Sequence, residues 1–557
     1  MHGDRRGAAV SWNNYADTGN PRFSLDCRDE MTDMKQFTKA VIRVVHGVVE
    51  VLFHFLFKLV YGGPGEQMPP IKDLLLLESA SSIARKIRTR KITSVQVLES
   101  FIERIEEVNP ILNCVVAERY SEARKEAQAI DDLIKSGTIP EETLAKEKPF
   151  LGVPFTTKDC IAVKGMIHTS GLARRKNCIA EEDADVIAYL KATGAYPIAL
   201  TNVSELCMWW ESANTLHGRS SNPYNTNHIV GGSSGGEGCL QGAAGSAFGI
   251  GSDIGGSIRM PSFFNGIFGH KPSKFMVSNN GQYPTPITID QMSFLGIGPM
   301  CRRAEDLLPL LKIIAGKNAA ELRLDEPVDV KQLNFYYQDS DMGSVAVSPV
   351  HHEIKELFGK ISVHLEKAHG VKTKKVAIQR FRKSGPIWFA NMKTPNGPSF
   401  QEQLANLEGS INPYLELVKW CFGRSDHTFI GIATALADKG GCKFGDDKHT
   451  HLVEEKGRLR REMEDLLGDD GVFLYPTHPT AAPFHNEPLV KPFNFSYTAI
   501  INVLGFPATN IPMGLNSEGL PIGVQVVANT KNDRLCLAVA VELEKAFGGW
   551  VPPSVEA

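Results

Sequence analysis

The ten cysteines of this 557-residue chain include no CxxC pair and are scattered singly from Cys27 to Cys536. Zinc ribbons and disulfide frameworks need clustered cysteines, so buried reduced thiols are the expectation here. Excess charge is missing as well. A formal net charge of −3 gives no electrostatic reason to expect nucleic acid as a partner. No GKS or GKT follows the glycine-rich stretch that begins at Gly231; Glu237 follows Gly236 instead, which removes a phosphate-binding P-loop. A dinucleotide fingerprint fails too, because Gly249, Gly251 and Gly255 have the wrong last spacing. Residues 1–38 are polar and irregular, with the apolar segment beginning only near Ala40, so a cleavable signal peptide is not expected. There is no internal repeat, and no linker after residue 75 marks a domain boundary. The two formal N-x-S sequons, at Asn202 and Asn494, fall in segments that read as core, so neither is expected to carry a glycan.

What is present is globular. Hydrophobic residues make up 42% and charged residues 22%, enough for one large core. After an apolar segment, AVIRVVHGVVEVLFHFLFKLVYGG, and a loop, PGEQMPP, the stretch up to Asn109 has helical periodicity, with Ser94 a plausible cap before VQVLESFIERI. Short apolar runs then alternate with amphipathic ones, as in FLGVPFTTKD, DADVIAYLKATGA with YPIALTNV, GVFLYPT and LPIGVQVVA. This alternation predicts an α/β architecture with a central sheet covered by helices. The expected organisation is a polar, disordered segment over 1–38, a membrane-associating helix over 39–62, and one large domain over 74–557.

Residues 231–261, GGSSGGEGCLQGAAGSAFGIGSDIGGSIRMP, hold eleven glycines and five serines and no histidine. Gly231-Gly232-Ser233-Ser234-Gly235 satisfies G-x-S-x-G, the nucleophile elbow of α/β hydrolases, although NPYNTNHIV before it is a poor strand for an elbow. The other account starts from GSDIGGS, where glycine backbone can turn the N–H groups of Ile254, Gly255, Gly256 and Ser257 towards one point. Fixed donors of that kind make an oxyanion hole, and Ser257 would be the nucleophile. A serine needs a base, and His228 and His270 lie outside the segment. Upstream, Lys158 follows the strand-like GVPFTTKD; burial would disfavour its ammonium form and suit it to that role. Taken alone, a lysine at a strand end is more often solvated.

GGSSGGEG, GSDIGGSIRMP and the upstream lysine resemble the amidase signature family of serine hydrolases. The similarity extends from about Leu74 to the C-terminus and takes in TNVSELCMWWESAN, GIFGHKPS, GPMCRRAEDL, GDDGVFLYPTHPTAAP and KAFGGWVPP. The resemblance implies a single amidase-signature domain built on a central twisted mixed β-sheet, and a Ser–cis-Ser–Lys triad. Carried over by motif, Ser257 matches the acylated nucleophile, Ser233 the bridging serine and Lys158 the base. The intervals of 75 residues from Lys158 to Ser233 and 24 from Ser233 to Ser257 fit the family's fatty-acid amide hydrolases. Ser234, Asp253 and Arg259 are expected to support the triad and the oxyanion loop. Cys207 and Met208 align with residues lining the acyl pocket, where core packing is an equal alternative. No metal or organic cofactor is implied.

The resemblance leaves the amide open. A glutamine-using amidotransferase subunit would present a polar site, whereas this chain has an apolar N-terminal segment and a second apolar pair, PYLELVKWCFG and HTFIGIATALADKG. Together these favour a fatty-acid amide, either primary or an N-acylethanolamine; a non-catalytic lipid binder is the alternative from another class. A homodimer is left as an open option. Between Lys39 and Lys58 the polar residues Lys39, Arg43, His46, Glu50, His54 and Lys58 fall on one helical stripe. Spanning a bilayer would put Glu50 near its centre at about 2.5–3.5 kcal/mol. A helix lying in the interface with its stripe in the headgroups is therefore favoured over a single span, on an intracellular membrane. If it spans, Lys35, Lys39 and Arg43 place the N-terminus in the cytosol.

Overall fold

The computed structural model describes residues 23–554, apart from 396, 439, 441 and 442. Eleven strands make one sheet: β1 (Val115–Glu118), β2 (Pro154–Lys158), β3 (Tyr196–Thr201), β4 (Phe248–Asp253), β5 (Phe268–Lys271), β6 (Gly296–Cys301), β7 (Asn334–Tyr337), β8 (Lys374–Lys375), β9 (Gly471–Tyr475), β10 (Ala508–Leu515) and β11 (Pro521–Ala528). Their order across the sheet is β1-β3-β2-β4-β6-β5-β10-β11-β9-β7-β8. β2 runs parallel to β3 and β4, and β7 runs parallel to β8 and β9; the other neighbours are antiparallel, so the sheet is mixed as expected. Every residue of β2, β3, β4, β6, β9 and β11 is buried. Helices cover both faces of such strands, which is why they read as continuous apolar runs between amphipathic segments.

Parallel pairing of β2 with β4 brings their carboxyl ends to the same edge of the sheet. Chain crossings at such ends create crevices for ligands in α/β folds. Close packing underneath depends on glycine: a Cβ at Gly249 of β4 would lie 1.8 Å from Glu237 Oε2. The helix Ser94–Leu112 is capped one residue earlier than expected. Thr93 supplies the capping box with Gln96, whereas the Ser94 hydroxyl is buried and donates to the Gly152 carbonyl at 2.9 Å.

Two expectations for the N-terminus need correction. The first helix runs from Phe23 to Tyr61, so residues 23–38 are helical rather than irregular; residues 1–22, and the side chains of Lys35 and Lys39, lie outside the described residues. The polar stripe also turns towards the large domain rather than away from it. Arg43 donates to the Gly343 carbonyl, Glu50 accepts from the Ser348 hydroxyl, His54 pairs with Glu487 at 3.0 Å, and Asn486 donates to the Tyr61 hydroxyl at 3.1 Å. The reason is local: the rim at 341–348 and 484–491 offers partners to Arg43, Glu50 and His54. Val44, Val51, Leu52, Phe55, Leu56, Leu59 and Val60 are left facing outwards, each more than half exposed.

Candidate active site

Lys158 is the last residue of β2 and is wholly buried. Its Nζ donates to Ser233 Oγ at 2.7 Å and Ser252 Oγ at 3.0 Å, with the Ser252 carbonyl at 3.4 Å. Ser233 lies in the loop before the helix Gly235–Gly242, and the Gly232–Ser233 peptide is cis. The residues before this loop make only isolated bridges, Ser221 to Ile229 and His228 to Phe484, rather than a sheet strand, which removes the nucleophile-elbow alternative.

Ser257 follows β4 and faces the same small cavity as Ser233 and Ser252. Among the described residues no hydrogen bond joins the two hydroxyls of Ser233 and Ser257 directly. Ser234 ties the two loops through the backbone instead: its N–H donates to the Ser257 carbonyl at 3.1 Å, and its hydroxyl donates to the Ser252 carbonyl at 3.2 Å.

The loop from Asp253 to Arg259 is held from beneath. Asp253 accepts from the N–H groups of Gly256 at 2.6 Å and Ile258 at 3.1 Å, from Arg259 Nε at 3.0 Å and from Asn502 Nδ2 at 2.8 Å. Burial alone would raise the Asp253 carboxyl, but the Arg259 charge and the hydrogen bonds from Arg259 and Asn502 hold it at about 2. Arg259 is satisfied further by Gln525 at 2.8 Å and the Thr498 carbonyl at 3.1 Å.

The N–H of Gly256 is thus taken by Asp253, which removes it from the expected set of oxyanion donors; those of Ile254, Gly255 and Ser257 have no protein partner among the described residues. Gly256 sits at φ +118°, where a Cβ would lie 2.0 Å from Thr498 Oγ1. Two loop carbonyls are pinned as well: Ile254 O accepts from Trp388 Nε1 at 3.0 Å and Gly255 O from Thr498 Oγ1 at 2.8 Å. Fixing the carbonyls fixes the adjoining N–H groups before any charge develops on a bound group.

Two cavities meet at Ser257. The larger, about 360 Å³, is walled by Cys207, Met208, Met260, Trp388, Phe429 and Phe495, among other apolar side chains. The smaller, about 100 Å³, adds Ser233, Ser252, Gln282, Thr285, Gln291 and Gln403. Among the described residues no histidine lines either. His270 is used elsewhere, against Thr509 at 2.8 Å and Asp533 at 3.1 Å, and His228 stacks on Phe484. Burial would raise the Cys207 thiol, but Cys160, the Lys158 charge and Ser233 outweigh it and hold the thiol below its usual range.

The structure therefore brings Lys158, Ser233, Ser234, Asp253, Ile254, Gly255, Gly256, Ser257, Arg259, Cys207 and Met208 to one place. Ser252, Trp388, Thr498, Asn502 and Gln525 belong there too, and sequence reasoning missed them. Ser252 sits in the motif itself, one residue before Asp253; the others come from distant segments that carry no local signal. The eight cysteines whose side chains are described are free thiols, and Asn202 and Asn494 are fully buried.

The family model described as Amidase matches residues 96–537. Human fatty-acid amide hydrolase 2 is 47% identical over 503 residues, covering 89% of this chain and 94% of its own length. Fatty-acid amide hydrolase 2-B of Danio rerio is 48% identical over 515 residues, covering 91% and 97%. A glutamyl-tRNA(Gln) amidotransferase subunit of Nitrosospira multiformis is more distant, at 27% over 489 residues, covering 84% and 97%. Among solved structures, a fatty acid amide hydrolase superposes with a TM-score of 0.68 at 24% identity, covering 87% of each chain, a likeness of fold. A lysine, two serines and a glycine loop placed as above, on this sheet and with this degree of identity, make the chain a member of the amidase family.

Proposed function

We propose that this chain hydrolyses fatty-acid amides through an acyl-enzyme on Ser257. The observation that carries the reading is the Lys158–Ser233 contact at 2.7 Å beside a cavity that also holds Ser257. In its amine form Lys158 takes the Ser233 proton while Ser233 takes that of Ser257, which attacks the amide carbonyl. A hydroxyl both donates and accepts, so Ser233 passes the proton back to the departing nitrogen, its side chain rotating towards Ser257 to do so. The N–H groups of Ile254, Gly255 and Ser257 receive the oxyanion. Water then cleaves the ester, giving a carboxylic acid and ammonia or an amine. Two features support a lipid acyl group: the apolar wall of the larger cavity, and relatives named for fatty-acid amides. The smaller, serine- and glutamine-lined cavity suits a short polar amine.

Membrane association belongs to the same proposal. The outward valines, leucines and phenylalanines of the first helix would enter the interface, while the stripe, Glu50 included, stays hydrogen-bonded to the domain. A spanning helix would have to give up those contacts. An active-site-directed fluorophosphonate tests the triad: it is expected to label Ser257, and Ser257→Ala to abolish both labelling and turnover with the fold intact. Labelling retained at Ser233 in that variant would sink the assignment.

A further inference from the structure

Away from these cavities, the helices His352–His369 and Asp533–Phe547 both pack on β11. Where they meet, His364 Nε2 and His369 Nε2 lie 2.9 and 2.7 Å from one oxygen, Glu542 Oε1. The ligand atoms of the three side chains all fall within 4.8 Å of one another. The imidazole rings stand nearly perpendicular, at 87°, and the His364 ring is packed edge-on against Phe547 at 5.6 Å. Two rings are thus held so that both Nε2 atoms converge on one carboxylate oxygen. All three side chains keep between 17% and 24% of their surface in solvent, so an aqueous ion can reach them. His369 is the last residue of its helix, where the free carbonyl ends favour positive charge.

We propose that His364, His369 and Glu542 bind a zinc-class divalent ion, which clamps the end of one helix to the C-terminal helix. Two imidazole nitrogens and one carboxylate oxygen are the donor set of late first-row metals; magnesium and calcium take oxygen alone. Bonds of about 2.0–2.2 Å to each ligand require the nitrogen–oxygen separations to open by roughly half an ångström, which rotation about the Glu542 side chain supplies. Each neutral imidazole that ligates through Nε2 moves its proton to Nδ1, and water completes the coordination. The cluster His351, His352 and Glu353 is a poorer candidate, because both histidines are exposed and one oxygen of the Glu353 carboxylate already accepts from the Ser517 N–H at 2.8 Å.

The test uses full-length, untagged, chelator-stripped protein in detergent. Zinc titration by calorimetry is expected to find one tight site per chain, zinc to raise the melting temperature, and cobalt(II) to give the intense visible bands of a tetrahedral site. His369→Ala and Glu542→Gln should each weaken zinc at least about tenfold, the lower end of what an outer-shell partner alone carries. His351→Ala/His352→Ala should leave binding unchanged. Fluorophosphonate labelling of every variant controls for folding. Equal zinc affinity in His369→Ala and Glu542→Gln, or loss only in the His351/His352 variant, would overturn the site.

Discussion

Lys158 serves an amide substrate twice in the proposed reaction, first as base and then as the source of the proton for the leaving nitrogen. An ester's alkoxide leaves with less help. Lys158→Ala is therefore expected to depress hydrolysis of an amide more than that of the matched ester, measured as kcat/KM for both; equal losses would leave Lys158 a structural or base-only role. Trp388 acts on the other side of the reaction. Its indole N–H holds the Ile254 carbonyl, and its ring walls the cavity beside Gly255. Trp388→Phe keeps the ring and loses the hydrogen bond, about 0.5–1.5 kcal/mol. A fall in kcat of roughly twofold to tenfold is expected, with KM little changed, because the loop is loosened while the wall remains. A change confined to KM would make Trp388 part of the acyl wall alone.

At the scale of elements, what could be read in advance depended on how local each signal was. The runs FLGVPFTTKD and YPIALTNV are short and apolar, and both became strands of the central sheet. GSDIGGSIRMP carries Asp253, Ser257 and Arg259 within seven residues, so most of the loop was legible although Ser252 beside them was not singled out. Asn502, Thr498 and Gln525, which complete it, come from a helix and a strand more than 230 residues away and reach the loop only through the sheet order. The N-terminal stripe was legible as a pattern. Its partners, Ser348 and Glu487, were not, so headgroups were assigned a role that the domain fills. The second apolar pair folds as two helices, Pro413–Cys421 and Phe429–Ala437, and the second of them supplies Phe429, Ile430 and Ala433 to the larger cavity. Enlarging Ala433 to Phe should therefore shift the preferred substrate towards shorter acyl chains, checked by kcat/KM across a chain-length series. An unchanged profile would place the tail elsewhere.

For the whole molecule, pH acts through a buried carboxyl that lines neither cavity. Burial pushes Glu237 up to about 8, against hydrogen bonds from Thr156 and Thr201 that lower it. Between the ordinary value near 4.5 and about 8, the folded chain holds a proton that the unfolded chain has released. Stability from this group is complete below that interval and is lost as pH rises through it, on the order of 1 kcal/mol per pH unit. Asp159 and Asp306 pull in the same direction only up to about 6, while the lowered Cys207 thiol and the buried histidines, His478 among them, pull the other way. Glu237→Gln should therefore remove a downward contribution to the slope of melting temperature against pH between 6.5 and 8, so that the variant loses less, or gains more, than the parent over that range; an unaltered slope would refute the assignment. Removing residues 1–62 should release the protein from vesicles in a flotation assay while fluorophosphonate labelling persists. Undiminished binding would transfer the anchor to the hairpin. The segment from Glu487 to Phe493 joins these scales, because Glu487 grips His54 of the first helix while Leu489, Pro492 and Phe493 line the larger cavity. Anchored to a membrane by that helix, as proposed, the enzyme would be held through the wall of its own pocket and would meet its substrate in two dimensions. Its rate should then follow the mole fraction of amide in the bilayer, and adding inert lipid at constant total amide should slow it.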